Sequence, residues 1–221
     1  IVHVADTQSA KTYVEWTSAA QQLADAFWPG PLTLVLPLRP SHGISSLVTA
    51  GLDTLAIRVP AHPVAQALLG AFGGPVAAPS ANPSGRISPT TAEHVATGLE
   101  GRIAAILDGG PCNVGLESTI IGFDGPKAVM LREGGVPAER IEQVLGQKLR
   151  AHADTAISAP GQLLSHYAPR GAVRLNATQA HEGEHLLGFG EIAGTLTLSA
   201  SGDLAEAAAN LFGHLHKLDA L

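Results

Sequence analysis

Short runs of apolar and β-branched residues alternate with helical patterns over residues 1–150, and this alternation restricts the fold more than any other feature of the sequence. Each run is bounded by glycine, proline or polar residues, as strands usually are. The alternation predicts an α/β fold in which helices pack on a sheet. The predicted strands are residues 1–4, 33–37, 55–59, 76–78, 103–108, 118–122 and 129–132. The predicted helices are residues 17–27, 62–69, 90–97 and 137–145, the third opened by a capping box of Thr90 and Glu93.

The pattern changes after residue 151. Residues 152–171, HADTAISAPGQLLSHYAPRG, have no clear period and contain two prolines, which predicts a linker. Beyond it, AVRLNA, HLLGFG and TLTLSA predict short strands, and DLAEAAANLFGHLHKL predicts a helix opened by Asp203. We therefore expect a large domain over 1–151, a linker over 152–171 and a small, incomplete α/β domain over 172–221.

Composition excludes several classes of function. The formal net charge is -6 and the basic residues are not clustered, which argues against extensive contact with a nucleic-acid backbone. The single cysteine, Cys112, excludes an internal disulfide and a multi-cysteine zinc site. No apolar run approaches the roughly 20 residues of a membrane helix, and no leader opens the chain. We expect a cytoplasmic protein with no membrane partner.

The segment PVAAPSANPSGRISPT places many small hydrogen-bonding residues between a predicted strand and a predicted helix. Such a turn can bind an anion through hydroxyl groups and backbone N–H groups. It can equally be a tight loop whose side chains bond their own backbone. The segment alone leaves both interpretations open, because it contains neither a Walker lysine pattern nor a GxGxxG motif.

Two arginines stand out because they lie in or at the end of predicted strands. Arg58 is flanked by Ile57 and Val59, and a charge within a buried strand must be paired or reach a ligand. Arg132 ends another strand and precedes Glu133 and two glycines. No Ser-His-Asp order, metal-ligand spacing or general-base pair accompanies them. This set of residues favours binding and orienting an anionic substrate over covalent catalysis.

Taken together, the segments resemble the YrdC-like threonylcarbamoyladenylate synthases in their longer, two-domain form. The matching pieces occur in family order: FWPGPLTLVL, TLAIRVPAHPVAQALL, PVAAPSANPSGRISPT, ILDGGPCNVGLESTIIGF, LREGGV and APGQLLSHYAP. The resemblance implies a twisted mixed β-sheet with helices around a concave cleft. It also implies an enzyme that condenses L-threonine, bicarbonate and ATP, with Mg²⁺ bound to the ATP, into threonylcarbamoyl-AMP and pyrophosphate. The product would pass to a threonylcarbamoyl transferase complex that modifies tRNA next to the anticodon.

The resemblance also implies roles for individual residues. The positions that match ATP contacts are Thr54, Ser80, Asn82, Thr90, Arg132, His166 and Tyr167, the last two in a segment that closes over the active site. The positions that match threonine contacts are His3, Arg58, Ser80 and Ser118. No residue is implied as a certain catalytic group, and the positioning falls to Ser80, Asn82 and Arg58. No metal ligand from the protein is expected.

The sequence departs from the family pattern at its start. The family's Lys-x-Arg-Pro motif lies just ahead of the strand that IVHV matches, and the sequence begins after it. The chain as given is therefore expected to be inactive or very weak, and the natural protein to be longer. Two alternatives stay open: an RNA-binding module without catalysis, disfavoured by the acidic balance, and the carbamoyl-transfer module of a maturation protein, disfavoured by the lack of zinc-finger cysteines.

Overall fold

The computed structural model describes residues 1–151 and 167–221. The strands are β1 (Val2–His3), β2 (Leu32–Pro37), β3 (Thr54–Arg58), β4 (Val76–Ala77), β5 (Thr119–Asp124), β6 (Lys127–Arg132), β7 (Arg150–Ala151), β8 (Leu187–Gly188) and β9 (Leu196–Thr197). The helices are α1 (Thr7–Tyr13), α2 (Ser18–Phe27), α3 (Ser46–Thr49), α4 (Pro63–Phe72), α5 (Ala92–Leu99), α6 (Ala138–Leu145) and α7 (Leu204–Asp219). The mixed α/β fold expected from the sequence is confirmed.

The chain divides into two compact units. The first comprises Ile1–Pro79 and Glu117–Gln162, and the second comprises Ser80–Leu116 and Leu163–Leu221, each as far as the structure describes it. The first unit contains a seven-stranded sheet in the order β4-β1-β3-β2-β5-β6-β7. Parallel pairs (β1 with β3, β2 with β5, β6 with β7) alternate with antiparallel ones, so the sheet is mixed.

The two faces of this sheet differ in chemistry. Side chains alternate between faces along a strand, and residues paired across strands share a face. One face carries the apolar partners Val2 and Leu34, both paired with Ile57. Residues of α1, α2 and α6, and Val14 directly after α1, form the hydrophobic core with this face; the helix residues are Ala10, Ala20, Leu23 and Ile141. The opposite face carries His3 and Arg58, which are also paired, and is therefore the polar face.

The helix starts follow local sequence signals. Asp6 caps α1 by accepting a hydrogen bond from the Ser9 N–H, and Thr17 caps α2 through the Ala20 N–H. Pro63 occupies the first turn of α4, where a missing N–H costs nothing. Asp203 caps α7, as the sequence predicts.

The second unit contains α5, the two-stranded parallel sheet of β8 and β9, and α7. Gly115 comes so close to α7 that a Cβ added there would lie 2.4 Å from the Ala209 carbonyl oxygen. Only glycine fits at this approach, which fixes the end of the loop before Glu117 against the C-terminal helix.

Several sequence predictions are wrong in detail. Residues 103–108 take part in neither sheet, and Leu107 in this run is 65% exposed, so apolar residues alone did not make a strand. AVRLNA is not a strand either. Helix α5 is capped by Thr91, whose hydroxyl accepts from the His94 N–H, so the predicted capping box was one residue early. Helices α1 and α3 and strand β7 were not predicted from the sequence.

Candidate functional site

Predicted site residues of the first unit collect on the polar face of the sheet. His3 and Arg58 are cross-strand partners at the ends of β1 and β3. Arg132 ends β6 opposite Ile120, and its guanidinium reaches Ser118, just before β5. The sequence pattern predicted these side chains separately, and the register of the sheet places them on one face.

Arg58 is held by the backbone of the FWPGP segment. Its Nε donates a 2.8 Å hydrogen bond to the Gly30 carbonyl oxygen. The Gly30 N–H in turn donates to the Val59 carbonyl oxygen at 2.9 Å, so Gly30 binds both the Arg58 side chain and the backbone of the next residue. A Cβ at Gly30 would lie 2.2 Å from the Phe27 carbonyl oxygen, which explains why glycine occupies this position. The turn thereby orients a guanidinium on the polar face.

His3 is a neutral histidine beside this guanidinium. Burial, and then the positive charge of Arg58, lower the pKa of His3 from 6.5 to about 4. Its Nδ1 atom is buried and has no hydrogen-bond partner among the described residues. An uncharged imidazole with an unused nitrogen can donate to or accept from a ligand without adding charge.

Ser118 and Arg132 form a compact network at the start of β5. The Arg132 guanidinium donates from Nε to the Ser118 carbonyl oxygen at 3.0 Å, and from Nη2 to the same oxygen at 2.8 Å and to Ser118 Oγ at 3.0 Å. The carboxylate of Glu117 lies 3.7 Å from Arg132 Nη2. A Cβ at Gly134 would lie 2.4 Å from the Glu117 carbonyl oxygen, so the glycine pair after β6 allows this close approach.

Sequence reasoning missed Thr33, whose hydroxyl is part of the same network. Thr33 Oγ1 lies 2.7 Å from Ser118 Oγ, and both residues are buried, with exposures of 0% and 3%. Thr33 is the one polar residue in the run LTLVL of β2, and its cross-strand partner is Ile120. A hydroxyl within an otherwise apolar strand was the signal that could have identified it.

Thr54 lies at the other end of β3 from Arg58. Thr54 is four positions before Arg58 in the sequence. At the rise per residue of an extended strand, four positions correspond to a distance of about 13 Å. Residues an even number of positions apart on a strand point to the same face, so Thr54 shares the polar face with Arg58. Within β3, the first unit therefore presents a guanidinium at one end of this face and a hydroxyl at the other.

In the second unit, the turn after β4 resolves into a specific geometry around Asn82. The Asn82 Nδ2 group donates to the Pro83 carbonyl oxygen at 2.9 Å and to the Arg86 carbonyl oxygen at 3.1 Å. Its Oδ1 atom is buried and has no hydrogen-bond partner in the described part of the chain. Asn82 thus stabilises its own loop, as one interpretation of the turn predicts, and also has an acceptor unused. Ser80, two residues earlier, is exposed.

Thr90 lies beside a pair of stacked histidines in the second unit. The Thr90 N–H donates to His94 Nδ1 at 3.2 Å, so this nitrogen is unprotonated. The His94 ring stacks on His216 with centroids 3.9 Å apart, and the His216 Nε2 group donates to the Ser88 carbonyl oxygen at 3.1 Å. Burial, and then the charge of His216, lower the pKa of His94. Thr90 itself is buried, with an exposure of 7%.

Tyr167 follows the undescribed segment and packs within the second unit. Its ring stacks on Phe212 with centroids 5.3 Å apart. The next residue, Ala168, donates from its N–H to the Gly85 carbonyl oxygen at 3.0 Å, in the loop that Asn82 stabilises. The residue after Tyr167 is therefore hydrogen-bonded to the loop that contains Asn82. His166 lies outside the described residues.

The described residues show neither a metal-binding cluster nor a helix that could cross a membrane. Within residues 1–151 and 167–221, no group of three histidine, cysteine, aspartate or glutamate side chains could hold a metal ion. In the same ranges, no helix combines the length and the apolar character needed to cross a membrane.

Comparisons with known proteins show which family this chain belongs to. Residues 1–134 match the model of the Sua5/YciO/YrdC family, described as telomere recombination. Residues 136–221 match the model of the threonylcarbamoyl-AMP synthase C-terminal domain. A threonylcarbamoyl-AMP synthase of Bacillus subtilis is 44% identical over 195 residues, which are 85% of this chain and 55% of that protein. The chain spans about half the length of the curated relatives it matches.

Two solved structures are also similar. The crystal structure of Pyrococcus abyssi Sua5 with L-threonine is 38% identical, with a TM-score of 0.86, and the match covers 100% of this chain and 71% of that one. A variant of the same protein, in which an adjacent histidine and tyrosine are replaced by alanine, is 37% identical with a TM-score of 0.83 and covers 99% of this chain and 70% of that one.

Proposed function

We propose, from the premise that this chain belongs to the Sua5/YciO/YrdC family, that it is part of an L-threonylcarbamoyladenylate synthase. The enzyme would join L-threonine, bicarbonate and ATP into threonylcarbamoyl-AMP and release pyrophosphate. The observation that carries the proposal is the polar sheet face, where two arginines and a buried serine lie at strand ends and a neutral histidine lies beside one of the arginines. That inventory suits an amino acid carboxylate and a phosphate better than a neutral ligand.

The threonine site is proposed at His3, Arg58, Ser80 and Ser118. Arg58 supplies the positive charge for the threonine carboxylate, and its contact with Gly30 holds the guanidinium plane in one orientation. His3 is uncharged, so it can contact the threonine amine without repelling it. The relative from P. abyssi whose structure contains L-threonine supports this choice of amino acid.

The ATP site is proposed at Thr54, Ser80, Asn82, Thr90, Arg132, His166 and Tyr167. Arg132 carries the charge for phosphate, and its contacts with Ser118 and Glu117 fix its side chain in advance. The unused Oδ1 of Asn82 is an acceptor, so it would take a donor such as a ribose hydroxyl or the adenine amino group. His166 and Tyr167 are the one adjacent His-Tyr pair in this sequence, and a histidine and tyrosine pair was the target of the alanine variant of the relative.

The proposed reaction requires mainly that the protein position its substrates. The threonine amine adds to the carbon of bicarbonate, and loss of water gives a carbamate. A carbamate oxygen then attacks the α-phosphorus of ATP, and pyrophosphate leaves with the bond electrons. These steps need aligned reactants, charge compensation and exclusion of water, and no covalent enzyme intermediate. Ser80, Asn82 and Arg58 would supply the alignment.

We also propose a metal ion, a domain organisation and partners for this enzyme. Mg²⁺ would enter with ATP and be held by phosphate and water, in keeping with its reluctance to lose its hydration shell. The domain organisation would be a catalytic domain over 1–151, a linker over 152–171 that closes over the active site, and a C-terminal domain from 172. The product would serve a threonylcarbamoyl transferase complex acting on tRNA, in the cytoplasm.

The experiment is a pyrophosphate-release assay on the protein at its natural length, which would include any Lys-x-Arg segment ahead of Ile1. Each of ATP, threonine and bicarbonate is omitted in turn, and serine replaces threonine in a further reaction. We expect release above background only when all three substrates are present. Release that does not depend on threonine would contradict the proposal.

A further inference from the structure

Thr33 is fully buried, and its hydroxyl is hydrogen-bonded to the serine of the proposed threonine site. Its Oγ1 atom lies 2.7 Å from Ser118 Oγ, and Ser118 Oγ also lies 3.0 Å from Arg132 Nη2. Three side chains from β2, the start of β5 and the end of β6 thus meet at one oxygen atom. The arrangement is more than packing, because it determines where the serine proton can point.

The direction of these hydrogen bonds follows from donor and acceptor chemistry. A guanidinium group only donates, so Ser118 Oγ accepts from Arg132. Both hydroxyl groups are buried, but Thr33 is 0% exposed and needs an acceptor for its proton within the protein, whereas the Ser118 proton can be accepted by a ligand bound in the proposed threonine site. We therefore assign Thr33 as the donor to Ser118 Oγ.

With that assignment, the Ser118 oxygen uses both lone pairs, one for Arg132 and one for Thr33. Its own proton can serve neither neighbour and is left for a third group. A hydroxyl held in this state is a preorganised donor, and preorganisation lowers the entropy lost when a ligand binds. A carboxylate oxygen is the natural acceptor for such a donor.

We propose that Thr33 is a positioning residue for threonine: it fixes the Ser118 hydroxyl as a hydrogen-bond donor to the substrate carboxylate. The inference rests on the proposed function, in which Ser118 lines the threonine site. Thr33, on β2, touches no substrate itself and acts through Ser118. A residue with this role affects threonine binding more than ATP binding, because Arg132 keeps its two hydrogen bonds to the Ser118 carbonyl oxygen when the Thr33 hydroxyl is lost.

The test compares Thr33→Val, which removes the hydroxyl at nearly constant volume, with Thr33→Ser, which keeps it. The assay is threonine-dependent pyrophosphate release by the protein at its natural length. We expect Thr33→Val to raise the KM for threonine about two- to tenfold, the range for one net hydrogen bond. The kcat and the KM for ATP should change less than about twofold, and Thr33→Ser should restore the threonine KM.

Two further variants separate positioning from stability. Thr49→Val is the matched control, because Thr49 is also buried in the first unit and its hydroxyl donates to the nearby Ser46 carbonyl oxygen at 3.3 Å. It should leave the threonine KM unchanged. In a Ser118→Ala background, Thr33→Val should add little, because the group that Thr33 orients is gone. If the valine variant does not accumulate, Thr33→Ala replaces it, since that change removes volume and adds none.

The outcomes distinguish the inference from the proposed function. An unchanged threonine KM in Thr33→Val, or an equal rise in Thr33→Ser, overturns the role of Thr33 alone. Full additivity of Thr33→Val with Ser118→Ala overturns it as well. If the wild-type protein releases pyrophosphate without threonine, the proposed function fails and the inference falls with it.

Discussion

Arg58 donates a hydrogen bond from Nε to the Gly30 carbonyl oxygen, 2.8 Å away. A backbone acceptor at Nε holds the plane of the Arg58 guanidinium in one orientation. The same glycine donates to the Val59 carbonyl oxygen, so the turn that precedes β2 and the end of β3 are fastened together at this point. The backbone of this turn therefore fixes the position of the Arg58 charge.

Replacing Arg58 tests its proposed contact with the threonine carboxylate. Arg58→Ala should raise the KM for threonine about 10- to 100-fold, the range for losing a charged hydrogen bond, with a smaller effect on the KM for ATP. Arg39→Ala is the control, because Arg39 is exposed and donates to the Lys11 carbonyl oxygen. Steady-state pyrophosphate release measures both. An unchanged threonine dependence in Arg58→Ala would remove this residue from the threonine site.

Gly30→Ala tests whether the turn needs a glycine for space. Its Cβ would lie 2.2 Å from the Phe27 carbonyl oxygen, and forcing that contact should lower the free energy of unfolding by about 1–3 kcal/mol. A Cβ added at Gly70, in α4, would meet nothing within 4 Å. Gly70→Ala should therefore raise the free energy of unfolding by about 0.5–1 kcal/mol. Chemical denaturation of the two variants gives both values. Equal effects would show that the close approach at Gly30 is relieved at no cost.

The sequence predicted the fold better where periodicity was strong. The strand of Arg58 and the helix capped by Asp203 were correct because apolar spacing and a polar start agree there. The run 103–108 was wrong, since apolar residues make a strand only when a neighbouring strand pairs with them. Helix α1 was missed because TQSAKTY has almost no apolar residues to reveal a helical period.

For the candidate site, the sequence identified residues and left their grouping unknown. The charge at Arg58 was conspicuous between apolar neighbours, whereas Thr33 was not, because threonine is common in strands. The pairing of His3 with Arg58 depends on strand register, and no local pattern reports which strands are neighbours. The free acceptor on Asn82 likewise required the loop geometry, since the sequence left a self-bonded loop and a ligand site equally open.

Asn82→Ala should reduce turnover far more than stability. The Asn82 amide makes two hydrogen bonds to loop carbonyl groups, so its loss should cost the free energy of unfolding about 1–2 kcal/mol. Turnover should fall about tenfold or more, because the acceptor proposed for the nucleotide is lost as well. Asn210→Ala is the matched control in the same unit, since its Nδ2 donates to the Leu198 carbonyl oxygen at 2.8 Å. A loss of activity that merely follows stability in both variants would contradict a ligand role for Asn82.

His3 should make the protein less stable as the pH falls below 6.5. The unfolded chain protonates this histidine near 6.5 and the folded chain near a pKa of about 4, so the unfolded state binds more protons between these values. The free energy of unfolding should therefore decrease by about 3 kcal/mol from this residue as the pH falls from 7 to 4. In His3→Gln that part of the decrease should vanish. Denaturant unfolding at several pH values measures the difference, and parallel pH curves for the two proteins would refute the assignment.

The most direct test of the central claim is mass spectrometry of the product formed from ¹³C-labelled bicarbonate, L-threonine and ATP by the protein at its natural length. The account predicts a threonylcarbamoyl-AMP product whose mass rises by one unit with labelled bicarbonate, formed together with pyrophosphate. The label should be lost when unlabelled bicarbonate competes. Release of pyrophosphate without a labelled adenylate, or an adenylate of threonine that lacks the label, would contradict the account.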